Sequence, residues 1–104
     1  MRLGYALLAL VAVLAAACGQ TPGDPLVERG RQVYQAQCTQ CHNPEPSQNG
    51  AVGPAVKGAS RELLEAKILR GAYPPGYKPK RPTAVMPPQP AVAPEIPTLA
   101  AYLK

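Results

Sequence analysis

Cys38-Thr39-Gln40-Cys41-His42 constrains this chain more than any other stretch. Two thiols three residues apart fall on the same side of a helical turn, and the imidazole that follows is held directly beside them. That order of residues is the attachment sequence of a c-type haem: the thiols add across two vinyl groups to form thioethers, and the histidine is aimed at the iron from one face. Other uses of the same residues compete with it. A structural zinc site wants four well-spread ligands, and the chain has no second histidine and only one further cysteine, Cys18. A thioredoxin-like thiol pair belongs at a helix start among alternating strands and helices, and no β-rich run of that kind is present. An inert buried pair beside a surface histidine is the plainest alternative.

The first residues read as a targeting segment. Arg2 precedes an almost uninterrupted apolar run from Leu3 to Ala17, and Ala15-Ala16-Ala17 offers small residues for cleavage. Residues 1–17 are therefore expected to be a signal peptide and the protein to be exported. The run is shorter than the roughly 20 residues that span a bilayer as a helix, which disfavours an uncleaved membrane span. Cys18-Gly19 follows directly and resembles the lipobox of bacterial lipoproteins, although Ala15 stands three places before the cysteine, where leucine is usual, and Leu14 stands four before. A diacylated Cys18 supplies two chains, enough for stable anchoring. Residues 18–25 then form a short polar tether that keeps the domain within roughly 25 Å of the membrane, at about 3.3–3.6 Å per residue.

What remains, residues 26–104, is one small domain with no Phe and no Trp. Such a chain has little with which to build a core, so a prosthetic group with a large apolar surface supplies much of the burial, and the apo chain is expected to fold poorly. The net charge of +5 for the whole sequence is a modest excess that does not point to nucleic acid. An anionic protein partner suits it better.

Asp24 as N-cap and Pro25 in the first turn start a helix in which Leu26, Val27, Gly30, Val33 and Tyr34 form an apolar stripe running into Cys38. From Asn43 to Gly58 prolines and glycines recur without a period, which predicts loop. Ser60 caps a second helix whose buried face is expected to be Leu63, Leu64, Lys67 and Ile68, with Gly71 ending it. Tyr73 to Pro97 holds nine of the fourteen prolines and is expected to be a long irregular segment. It carries Met86, the only methionine beyond Met1. Ile96, Leu99, Ala100, Tyr102 and Leu103 make a final helical face.

With these elements in place, the region from about Leu26 to Lys104 resembles a class I monohaem cytochrome c of the small bacterial type. The resemblance implies an all-α cytochrome c fold: three to four short helices around one covalently attached haem c, with a long Pro-rich loop carrying the distal ligand. It makes Cys38 and Cys41 the thioether attachments, His42 the proximal ligand and Met86, in its Met-Pro context, the distal ligand. Gly53-Pro54 resembles the family's Gly-Pro turn, in which the Pro54 carbonyl accepts a hydrogen bond from the ligand imidazole. Gly30 and Tyr34 match positions that meet an aromatic of the last helix, here Tyr102. Two features depart from the family pattern: the richness in Pro, Lys and Arg before Met86, and Pro97 at the start of the last helix.

A His/Met pair leaves no open site on the iron and favours the ferrous state, which implies a one-electron carrier rather than an enzyme. Its partners are expected to be redox proteins, met at the outer face of the cell membrane or in the periplasm by a monomer or by a subunit of a respiratory complex. Lys78, Lys80 and Arg81 read as a basic patch that steers an acidic docking face. Tyr73, Tyr77 and Arg70 are further candidates to hydrogen-bond the haem propionates. The alternatives from other classes are a haem-based ligand sensor or a cytochrome subunit of an oxidoreductase complex, and a non-haem lipoprotein using Cys38 and Cys41 as thiols or metal ligands.

Overall fold

Every described helix starts with a local signal that also appears in the sequence. The computed structural model describes residues 23–82 and 86–104; the expected signal peptide, residues 1–17, and the expected lipid site, Cys18, lie outside them. Helix α1 is Pro25–Gln37, with Pro25 in its first turn and the Asp24 carboxylate accepting the Leu26 N–H at 2.9 Å. Helix α2, Arg61–Arg70, is capped by Ser60 Oγ accepting the Leu63 N–H at 3.1 Å. Gly71 ends it in the left-handed conformation at φ 62°, where its N–H returns to the Lys67 carbonyl. Helix α3 is Ile96–Leu103, and Pro97 falls in its first turn, where the missing N–H costs nothing.

The Pro-rich segment is more regular than its composition predicts. Pro90–Glu95 form a 3-10 helix that runs directly into α3, with Pro90 at its start and Pro94 within it. Counting prolines hides the reason: Val92 is a buried apolar anchor, and the Gln89 N–H donates to the Ile68 carbonyl at 2.7 Å, pinning the turn to α2. The described residues contain three α-helices, this 3-10 helix and no strand, which is the all-α arrangement expected.

Helices α1 and α3 cross at Gly30. A Cβ there would overlap the Thr98 carbonyl and crowd the Tyr102 Cβ, so only glycine permits this approach. Below the crossing Tyr34, 1% exposed, meets the Tyr102 ring with centroids 5.6 Å apart, and the Tyr34 hydroxyl donates to the Asn43 carbonyl. Val33, Tyr34, Ile68, Val92, Ile96, Leu99 and Leu103 form the core. Burial of each large side chain stabilises by about 1.5–3 kcal/mol before entropy is counted, and so few of them make a thin core. Helix α2 departs from its expected face: Ala66 and Ile68 are buried, whereas Leu63, Leu64 and Lys67 are only partly covered. Those three turn toward a cavity instead.

Candidate functional site

The partly covered face of α2, the end of α1, the loop after His42 and the segment around Met86 enclose a cavity of about 520 Å³. That lies within the roughly 300–1,000 Å³ of small-molecule and cofactor pockets. Cys38, Cys41, His42, Pro54 and Met86 all line it. Residues separated by as many as 48 positions thus converge on one space, in a chain whose core is otherwise thin.

Backbone bonds hold the thiol and imidazole end. The Cys38 N–H caps α1 by donating to the Tyr34 carbonyl at 2.9 Å, and the His42 N–H returns to the Cys38 carbonyl at 3.0 Å, closing a single turn. His42 Nδ1 lies 2.9 Å from the Pro54 carbonyl oxygen. A carbonyl can only accept, so Nδ1 is the donor of this bond, and Nε2 is the nitrogen left for a metal. The ring lies against Gly53, where a Cβ would come within 2.5 Å of Cε1 and Nδ1. Gly53 is in turn held by its N–H to the Cys41 carbonyl at 2.8 Å and by its own carbonyl, which accepts from Gly50 N–H at 2.9 Å. The whole turn is a cradle shaped to one flat ring.

Burial pushes the Cys38 thiol up to about 11, so it is protonated at neutral pH. A redox-active thiol depends on a stabilised thiolate, and burial works against one at Cys38. Burial also pushes the Tyr34 hydroxyl up to about 12, which keeps it a hydrogen-bond donor to Asn43. Among the described residues no group of three or more His, Cys, Asp or Glu is placed to hold a metal ion.

The basic run divides. Lys80 and Arg81 line the cavity, whereas Lys78 is exposed and does not. Lys80 Nζ donates to the Ala55 carbonyl at 2.9 Å, and Arg81 Nη2 donates to the Gly50 carbonyl at 3.0 Å. Tyr73 and Tyr77 also line the cavity and stack with centroids 5.4 Å apart, with Lys67 Nζ 4.3 Å from the Tyr73 ring centroid. Arg70 does not line it. Lys57, Val52 and Leu64 are wall residues that the sequence reading passed over as functional. Only Leu64 carried a signal, its place on the apolar face of α2.

These residues fit a covalently held haem. Two thiols and an imidazole with a free Nε2 come from one turn, a thioether reaches the same space, and the walls are largely apolar with a few cations among them. Among the described residues no helix is long and apolar enough to cross a membrane. Residues 25–103 match the family model described as cytochrome c oxidase, cbb3-type, subunit III. No curated protein and no solved structure matches the chain.

Proposed function

The chain belongs to the cytochrome c family described as cbb3-type cytochrome c oxidase subunit III, and from that membership we propose that it is an exported one-electron carrier module, not itself an enzyme. The convergence of Cys38, Cys41, His42 and Met86 on one cavity carries this reading. In it Cys38 and Cys41 would hold the haem covalently, and His42 Nε2 and the Met86 sulfur would ligate its iron. When bound, the haem supplies ferrous/ferric cycling. The protein's own work is to orient His42 through Pro54, to exclude water with the walls of α2 and α3, and to offer a thioether that favours the ferrous state. A pyridine haemochrome assay of the purified protein should report thioether-linked haem, and the reduced protein should resist CO. Absence of covalent haem sinks the proposal; ready CO binding at neutral pH favours a ligand sensor instead.

The family's own description favours a cytochrome subunit of an oxidoreductase complex as the second reading, with the same chemistry delivered inside an assembly. Either role needs a redox partner. Lys78 contributes an exposed positive charge, and Lys80 and Arg81 keep theirs while hydrogen-bonded, so an acidic partner face is the complementary surface. Anchoring through a lipid on Cys18 completes the proposal: Cys18→Ser should release the cytochrome from the membrane fraction without loss of haem, and a mature wild-type protein with no added acyl mass would refute it.

A further inference from the structure

The hydrogen bonds of Lys80 and Arg81 in the cavity wall fall in a pattern. Arg81 donates to the carbonyl of Gly50 and Lys80 to that of Ala55. Those two carbonyls bracket Gly53-Pro54, the turn that backs the His42 ring and accepts its Nδ1 proton. Both ends of the bracketed stretch are themselves bonded inward, Gly50 N–H to Gly53 O at 2.9 Å and Ala55 N–H to Asn49 Oδ1 at 3.0 Å. The donors come from the segment that leads to Met86, five residues beyond Arg81. On its far side that segment is fixed again where Gln89 N–H meets the Ile68 carbonyl at 2.7 Å.

We propose that Lys80 and Arg81 are positioning residues that clasp the Met86 segment onto the His42-supporting turn, so that the two axial sides of the cavity are held in register by one pair of cations. The inference rests on the haem reading of the cavity. Prolines explain why side chains do this work. Pro74, Pro75, Pro79, Pro82, Pro87 and Pro88 remove six backbone donors from the segment, which leaves it fewer N–H groups of its own with which to pair to the neighbouring loop. Long cationic side chains reach the carbonyls instead, and hydrogen bonds from charged donors are the stronger kind. Without the clasp, Met86 would lose two of the bonds that hold its segment, keeping the Gln89 bond and its packing against the core, and would leave its place more often.

The test uses the purified holoprotein with its haem attached, and the affinity of added imidazole for the ferric iron as the readout. Imidazole gains access only when Met86 is away, so its apparent affinity scales with the fraction of molecules in that state. Arg81→Met with Lys80→Met should bind imidazole at least about tenfold more tightly than wild type, because two charge-assisted bonds are lost. Each single variant should show part of that gain, and amide hydrogen exchange at Gly53 and Ala55 should quicken with it. Arg81→Lys keeps a donor and should return most of the wild-type affinity. Unchanged imidazole affinity in the double variant would overturn the clasp, as would an Arg81→Lys protein indistinguishable from Arg81→Met. Should the double variant lose its haem during maturation, the singles decide on the same criterion. Failure of the haem reading is visible separately, as a wild-type protein that gives no haemochrome.

Discussion

Two irregular regions flank the cavity, and both are rich in proline and glycine, yet they are ordered by different means. In the loop from Asn43 to Gly58 the chain satisfies itself. Asn43 Oδ1 accepts from Glu45 N–H, Asn43 Nδ2 donates to Asn49 O, Asn49 Oδ1 accepts from Ala55 N–H, and Pro46 O accepts from both Val56 and Lys57. Short amide side chains replace the ladder that a helix or sheet would provide. In the segment from 72 to 89 the described residues show one backbone turn, Tyr77 N–H to Pro74 O at 3.1 Å, and otherwise lean outward: on Ala55, on Gly50, on Ile68 and, by stacking, on each other's rings. A loop with internal bonds can present a ligand rigidly. A loop held by its neighbours holds its ligand only as firmly as those neighbours stand.

The largest effect should come from removing what both loops wrap. Cys38→Ala with Cys41→Ala eliminates covalent attachment and leaves a 520 Å³ apolar cavity beside a thin core. Far-UV circular dichroism should show most helix lost and no cooperative thermal transition, since the core that remains does not outweigh chain entropy in so short a domain. A cooperative transition in that apo variant would mean that the loops are ordered without the cofactor. Next in size is Met86→Ala. Haem should stay attached, because the thioether residues and His42 lie on the self-bonded side. The weak near-infrared band of thioether-bound ferric iron should vanish, the potential should fall, and CO should bind the ferrous form. Persistence of the band would show that another group supplies the sixth ligand.

Much of this was legible in the sequence wherever a local rule acts. Asp24 with Pro25, Ser60 and Gly71 announce their helix ends because caps and left-handed turns depend on neighbours in the chain. The cysteine and histidine spacing announces the cofactor for the same reason. Where side chains reach across the fold, the sequence is mute. Nothing in Lys80-Arg81 distinguishes a solvated basic run from two donors aimed at the Gly50 and Ala55 carbonyls, 31 and 25 residues away. The 3-10 helix at Pro90–Glu95 was obscured because a proline count measures lost donors, whereas Val92 burial and the Gln89 bond to Ile68 decide the outcome. Helix α2 misled in a related way: Leu63 and Leu64 line the cavity while Ala66 and Ile68 are buried, and no periodicity separates those two kinds of burial.

A single methyl group can probe the self-bonded side. Gly53→Ala would drive a Cβ to within 2.5 Å of the His42 ring, and neither partner can yield easily, since Gly53 is bonded through both its N–H and its carbonyl. The expected cost is about 3 kcal/mol, at the upper end for overpacking. It should appear as a lower thermal midpoint of the holoprotein together with a changed potential, because the ring and its bond to Pro54 must shift. A midpoint that falls while the potential stays fixed would mean that the loop yields and the histidine does not.

The smallest pair of changes separates the two kinds of order directly. Gly76 sits in the one backbone turn of the outward-leaning segment at φ 78°, with no heavy atom within 4 Å of a Cβ built there. Gly76→Ala therefore costs only the left-handed strain, about 1–2 kcal/mol, partly offset because alanine also restricts the unfolded chain. Asn49→Ala removes the acceptor of the Ala55 N–H, for about 1 kcal/mol. In a domain of this length each should lower the thermal midpoint by about 4–8 °C per kcal/mol. Their consequences for the site should differ. The Asn49 bond holds Ala55, whose carbonyl Lys80 grips, so its loss should loosen that acceptor and strengthen imidazole binding as well as lowering the midpoint. Gly76 lies upstream of both cations, so its strain should lower the midpoint and leave imidazole affinity as it was. The reverse result, with Gly76→Ala opening the iron and Asn49→Ala leaving it closed, would show that Met86 is governed by the path of its own segment and that the self-bonded loop is not what holds it in place.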